Sequence, residues 1–359
     1  MKAWRDERIL TLFGIEVPII QAPMAGVGDY QLAIAVARAG GLGSLPCALL
    51  GVEQVREAVS LIRAQTAAPL NLNFFCHASP VRDQDRLAVW EEMIRPYATE
   101  FGLPPTPMRP TGPGIHIFDE SFCSLVEDTE PQVVSFHFGL PEASLVARVR
   151  ATGAKIIASA TTVAEARWLA SHGCDAIIAM GTEAGGHRGT FLPGELYTQA
   201  GTFALVPQIV DAVRVPVIAA GGIADGRGLA AALMLGASAV QMGSAYLLAD
   251  EVSLSKVYRH ALEQADDQST ALTNIFTGRP ARAIVNRAVR ELGPLSEHAP
   301  PFPLAGLPLA SLRAHREAAG SDDFTPLWSG QSVSLARALP AAEITRHIAA
   351  QALDVVGMQ

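Results

Sequence analysis

Long apolar runs are missing from this chain, although 49% of its 359 residues are hydrophobic. None approaches the roughly 20 residues that a membrane-spanning helix needs, so no membrane partner is expected. The charged start, Met1 to Arg8, precedes no apolar h-region, which predicts a cytoplasmic protein without a signal peptide. Cysteine is sparse: Cys47, Cys76, Cys123 and Cys174 lie far apart and form no C-x-x-C pair. That spacing predicts buried thiols, with neither a disulfide frame nor a metal site. Charged residues make up 17%, the net charge is -8, and there is no basic run. Nucleic acid is therefore not an expected partner, since phosphate backbones are held by clustered Lys and Arg. No G-x-x-x-x-G-K-[ST] occurs, and no G-x-G-x-x-G follows an early strand, which argues against nucleoside triphosphates and against a Rossmann dinucleotide site.

What the chain does have is a rhythm. Short apolar runs bounded by Pro or Gly read as strands over 18–24, 42–45, 69–75, 133–138, 155–160, 175–179, 216–220 and 239–242. Helical patterns follow over 31–38, 52–65, 142–152, 163–172, 204–213, 228–235 and 254–264. Strands apolar at every position are those covered on both faces. Eight of them alternating with helices predict an α/β fold of the (β/α)8 TIM-barrel type. An open doubly wound sheet is the alternative, because periodicity does not reveal closure. The rhythm breaks over 77–114, where prolines and charges gather around a helical piece at 86–97, and again beyond about 266. The expected division is a barrel from 1–76, 115–265 and 326–359, with a smaller inserted and C-terminal cap from 77–114 and 266–325.

Three of the later strands end in glycine. Met180-Gly181-Thr182-Glu183-Ala184-Gly185-Gly186-His187-Arg188-Gly189 holds four glycines and one imidazole. Gly221-Gly222 closes the seventh predicted strand, and Gln241-Met242-Gly243-Ser244 closes the eighth. Glycine lets main-chain N–H groups approach a ligand that a Cβ would hold off. In a (β/α)8 barrel the site lies at the C-terminal ends of the strands, and loops seven and eight commonly hold phosphate. One monophosphate there, with a pliable loop after strand six, suits flavin mononucleotide (FMN). Asn73 and His137 end strands at the same mouth. Glu183 is the expected orienting partner of His187, whose reference pKa of about 6.5 permits a proton donor or a proton acceptor near neutrality.

These stretches resemble the nitronate monooxygenase family, formerly called 2-nitropropane dioxygenases. The likeness rests on Gln21-Ala22-Pro23-Met24, the run from Gly181 to Gly189, Ala219 to Gly226, and Gln241 to Ser244. Ser135-Phe136-His137-Phe138-Gly139, Gly278-Arg279-Pro280-Ala281-Arg282 and Trp328-Ser329-Gly330-Gln331 fit the same group. The resemblance implies an FMN-dependent enzyme that oxidises alkyl nitronates with O2. It implies FMN contacts at Pro23, Met24, Ala25, Asn73, Met180, Gly185, Gly186, Gly221, Gly222, Gln241, Met242, Gly243 and Ser244. His187 would be the catalytic residue, with His137 and His187 facing substrate. Two departures stand out. Met180 occupies a position where the family carries Gln or Ser, and 301–313 lacks the Tyr and Thr of closer members. Two other readings are open: an NAD(P)H-dependent flavin reductase of the enoyl-acyl-carrier-protein or quinone type, and a sugar-phosphate lyase, isomerase or non-catalytic flavin-binding barrel. The oligomeric state is left open.

Overall fold

Eleven strands form among the described residues, and eight of them build one parallel sheet. They are β1 (Ile19–Gln21), β2 (Gly43–Pro46), β3 (Leu70–Phe75), β4 (Val133–His137), β5 (Lys155–Ala160), β6 (Ala176–Met180), β7 (Gly186–His187), β8 (Val217–Ala220), β9 (Ala239–Met242), β10 (Thr270–Thr273) and β11 (Ala281–Ile284). The parallel sheet runs in the order β1-β9-β8-β6-β5-β4-β3-β2. Its ends meet: Gln21 N donates to Leu42 O at 3.0 Å and Leu42 N to Ile19 O at 2.9 Å, so β1 pairs with the start of β2. The fold is a (β/α)8 barrel and not an open sheet. The structure, a computed structural model, describes residues 4–80, 83–104 and 114–357. The expected cap insertion over 77–114 and the chain's two ends fall partly outside these residues.

Alternation along each strand sorts side chains into two cores. Ile156, Ile177, Val217 and Val240 face the helices. Val133, Ile157, Ile178 and Ile218 fill the barrel, where Ile9 and Phe13 of helix Arg8–Phe13 plug the lower end. Higher in the barrel the lining turns polar. Asn71, Asn73, Ser135 and Ser159 are all buried, and Asn73 Nδ2 donates to Ser135 Oγ at 2.9 Å.

Eight outer helices complete the units. Glu120–Thr129, which the sequence reading missed, is the helix of the β3 unit; Asp119 caps it by accepting from Ser121 N and Phe122 N. The long insertion before it hides its place in the rhythm. The last outer helix is Ala341–Val355, which buries Ile344, Ile348 and Ala352 between helices Gly226–Met234 and Tyr30–Arg38. Helix Lys256–Gln264 instead contributes Tyr258 and Leu262 to a cluster with Ile284, Leu327 and Val333. A further apolar cluster joins Trp90 and Ile94 of helix Gln84–Glu100 to Phe276, Val289, Leu312 and Phe324. Trp90 Nε1 donates to Ala305 O at 2.9 Å, and Arg287 forks onto Glu100 at 2.8 and 2.7 Å.

Candidate functional site

The glycine-rich run after β6 is not a pliable loop. Gly186 and His187 form β7, which pairs antiparallel with β11 at Arg282 and Ala281, and β10 extends this second sheet. Arg188 N donates to Pro280 O at 2.9 Å. Two residues of strand are too few to leave a periodic signal. The run is also braced from beneath. The Arg188 side chain is 1% exposed; Nη1 donates to Gly181 O at 2.5 Å, Nη2 to Met180 O at 2.8 Å and Nε to Gln199 Oε1 at 2.8 Å. Burial pushes its pKa down to about 10, so the guanidinium stays charged while it holds the loop carbonyls.

Glu183 does not orient His187. Its carboxylate accepts from Thr202 N at 2.8 and 2.9 Å and from Thr202 Oγ1 at 3.0 Å. It thereby satisfies a donor at the start of helix Thr202–Ala212, whose own N-cap is Gly201 and offers no side chain. The group that meets the His187 ring is Thr277, with Oγ1 2.9 Å from Nε2. Sequence adjacency points to Glu183, and only the fold brings in a residue 90 positions away.

The strand ends surround one cavity of about 290 Å³, near the lower end of the usual size of small-molecule sites. Every residue expected at the site lines it. Pro23, Met24 and Ala25 follow β1, and Asn73 lies on β3. His137 ends β4 and Met180 ends β6. Gly185, Gly186 and His187 come from the braced run, Gly221 and Gly222 follow β8, and Gln241 to Ser244 close β9. Phe75, Ser159, Tyr258 and Thr277 also line it, without being site candidates in the sequence. Ser135, Trp328 and Gly330 line it too, and belong to the motifs 135–139 and 328–331 that carry the family resemblance.

Gly221 has φ 113 and Gly222 φ 70. The first value is closed to ordinary L-residues, and a Cβ there would stand 2.9 Å from Ala184 N and Thr202 Oγ1. At Gly222 the nearest atom is Glu183 Cβ at 3.4 Å, so the conformation is the main obstacle. Gln241 Oε1 is buried with no hydrogen-bond partner among the described residues. A buried carbonyl oxygen without a donor costs free energy unless a ligand supplies one.

Around His187 the walls are aromatic. Its ring centroid lies 5.1 Å from Trp328, 5.3 Å from Phe302 and 6.1 Å from Phe138. The Arg279 guanidinium stacks 3.9 Å above the Phe138 ring and donates to Thr190 O. Removal from water, then the positive field of the neighbouring His137, Arg279 and His77, pushes the His187 pKa down to about 3. Burial, then Arg279, brings His137 to about 3 as well. Both rings are neutral at pH 7. His137 Nε2 lies 3.2 Å from the His187 carbonyl oxygen, which only accepts, so Nε2 carries the proton. Nδ1 then accepts from Ser159 Oγ, 2.6 Å away.

The described residues contain no group of His, Cys, Asp and Glu able to hold a metal, and no helix long and apolar enough to cross a membrane. A family model described as nitronate monooxygenase matches residues 6–351. A nitronate monooxygenase of Pseudomonas aeruginosa is 41% identical over 344 residues, covering 95% of this chain and 98% of its own. One of Paraburkholderia phytofirmans is 40% identical over 342 residues, covering 95% and 93%. Among solved structures, nitroalkane oxidase from Streptomyces ansochromogenes superposes with TM-score 0.87 at 35% identity, covering 97% of this chain and 99% of its own. FabK from Thermotoga maritima superposes with TM-score 0.74 at 28% identity, covering 99% and 98%.

Proposed function

The chain belongs to the nitronate monooxygenase family, and from that premise we propose that it binds FMN in this cavity and oxidises small alkyl nitronates, such as propionate 3-nitronate, with O2 to a carbonyl compound and nitrite. One observation carries the reading. Gly221, Gly222 and Gly243, the Gln241 side chain with its buried, unpartnered Oε1, and His187 all line one cavity.

These residues fit the cofactor. Gly221, Gly222, Gly243 and Ser244 would hold the phosphate with main-chain donors, which need no lysine. Asn73, Met180 and Gln241 would lie against the ring system, with the Gln241 oxygen as acceptor. FMN, when bound, supplies the redox chemistry that no side chain here provides.

The chain's own part is binding and proton management. A nitronate is an anion, and the half-buried cation of Arg279 biases the field near His187 in its favour. Phe302, Trp328 and Phe138 keep bulk water from the His187 ring, which strengthens each polar contact made there. The neutral imidazole can accept a proton, and an arriving anion raises its affinity for one. His137 holds the His187 main chain in place by its Nε2–H donation.

The test is to release and identify the bound flavin, then mix the protein with propionate 3-nitronate without oxygen and follow the flavin absorbance. Released FMN and rapid bleaching are expected. Bleaching by NADH or NADPH but not by the nitronate would replace this reading with the reductase. A colourless protein without FMN would replace it with the sugar-phosphate enzyme.

A further inference from the structure

We propose that Leu49, Phe75 and Ile115 form a specificity wall of the cavity, which favours nitronates carrying a neutral hydrocarbon chain and makes a carboxylate-bearing one, such as propionate 3-nitronate, the weaker substrate. This rests on the nitronate reading of the site and narrows it. Leu49 lies in the turn after β2, Phe75 ends β3, and Ile115 precedes helix Glu120–Thr129. All three are half-buried and line the cavity, so they leave apolar surface for a ligand to cover. The main chain stitches the wall together: His116 N donates to Ala48 O at 2.8 Å, and Phe118 N to Phe75 O at 2.9 Å. Leu49 also packs on the loop after β1, where a Cβ on Gly26 would stand 3.5 Å from Leu49 Cδ1. Phe75 is in register with His137 across β3 and β4, and the two rings lie 5.6 Å apart. The wall therefore begins beside the two histidines.

Charge makes the same choice. Among the described residues that line the cavity, the single charged side chain is Glu183, and its sign repels a carboxylate. Arg279 is not among them: its guanidinium covers the Phe138 ring at 3.9 Å and donates to Thr190 O. Its field favours the reacting end of a nitronate beside His187. A carboxylate at the other end of the chain would lie against Leu49, Phe75 and Ile115, losing water without gaining a donor. A methylene placed there instead strengthens binding about fourfold. Such binding is shared by ground state and transition state, so it lowers KM and leaves kcat unchanged.

The experiment measures kcat and KM of the flavin-loaded protein for the nitronates of ethane, propane and butane, and for 3-methylbutane nitronate against propionate 3-nitronate. In that last pair, methyl groups stand where the other substrate has its carboxylate oxygens. The wild type should gain about fourfold in kcat/KM per methylene, through KM, and favour the methyl-bearing partner by about tenfold or more. Leu49→Ala and Ile115→Ala should flatten the chain-length series. Leu49→Lys and Ile115→Lys should bring propionate 3-nitronate level with its isostere or ahead of it. Binding without turnover gives a second readout: 4-methylpentanoate should perturb the flavin absorbance at lower concentration than succinate, and the lysine variants should reverse that order. A wild type that prefers propionate 3-nitronate, or shows no dependence on chain length, overturns the wall and leaves the nitronate reading standing. So do lysine variants that hold flavin and keep the wild-type preference. A protein inert to every nitronate overturns the two together.

Discussion

His137 donates from Nε2 to the main-chain carbonyl of His187 at 3.2 Å, and so one imidazole sets the height of another above the barrel. The relay continues downward, because the His137 Nδ1 left bare by that tautomer accepts from Ser159 Oγ on β5, 2.6 Å away. Gly189 makes this packing possible, since a Cβ there would stand 2.9 Å from Ser159 Oγ and 3.0 Å from His137 Cε1. The catalytic candidate is thus tied to β4 and β5 through its backbone and to the 277–279 turn through its ring. Rigid elements on both sides suit a site that must hold a reacting group to within a fraction of an ångström.

The two neighbouring glycines after β8 should respond differently to alanine. Gly221→Ala meets both a forbidden φ and two atoms at 2.9 Å, whereas Gly222→Ala meets chiefly a left-handed φ of 70. A strained backbone position costs about 1–3 kcal/mol. Gly221→Ala should exceed that range through the added clash and lose its flavin on purification. Gly222→Ala should stay within it and keep part of its flavin. Thermal melts and the flavin-to-protein absorbance ratio check the order; equal behaviour of the two would remove Gly221 from the cradle.

Arg188 should prove more important for stability than its place beside the catalytic candidate suggests. Replacement by Met keeps the length but strips donors from Met180 O, Gly181 O and Gln199 Oε1. Hydrogen bonds to a charged group contribute about 1.5–3 kcal/mol each. A loss of several kcal/mol in urea unfolding is therefore expected, with the run from 181 to 189 losing amide-exchange protection first. Lys at this position should recover little, because a single ammonium does not span the three acceptors.

Much of this architecture is legible from residue order. The eight barrel strands announce themselves as apolar runs closed by Gly or Pro, because strands covered on both faces have no polar side to show. The cavity glycines are legible for a different reason: Gly221, Gly222 and Gly243 sit where a barrel puts its chemistry. What escapes is contact between distant segments. Glu183 lies four residues from His187, yet its carboxylate serves Thr202, while Thr277 reaches the ring only because β7 and β11 pair. Helix Ala341–Val355 has a clear helical pattern, but nothing local says that it fills the last slot of the barrel. Gly226 is the trace of that contact, since a Cβ there would stand 2.5 Å from Ala352 N.

Stability should fall on mild acidification. His77, His137 and His187 have pKa values lowered to about 4, 3 and 3, burial being the first cause of each. The unfolded chain binds these protons near pH 6.5, whereas the folded chain resists them, so more protons are bound in the unfolded state between about pH 4 and 6.5. Stability then rises with pH through that window, is fully present above about 6.5, and is lost as pH falls. His77 offers the cleanest test. It is 6% exposed, its Nδ1 has no partner among the described residues, and it packs edge-on against Phe302 at 4.8 Å. His77→Phe keeps a ring against Phe302 and removes the titration. Its melting temperature should fall less between pH 7.5 and 5 than that of the wild type; an identical fall would show that His77 takes up no proton on unfolding in this range.

Met180 allows a test of the proposed FMN placement. The side chain ends β6, is buried and lines the cavity. Met180→Gln nearly conserves volume but places an amide beside Ile178 and Ala220, where apolar surroundings leave it short of partners. An unmet buried amide costs about 1–3 kcal/mol. The flavin-free variant should therefore melt below the flavin-free wild type. With FMN bound, the ring's heteroatoms supply partners for the amide and the deficit should shrink. Melting both proteins with and without saturating FMN measures this as a difference of differences, independent of any turnover. A deficit of the same size in both states would mean that the ring does not reach Met180, and the proposed placement of FMN across the end of β6 would have to be abandoned.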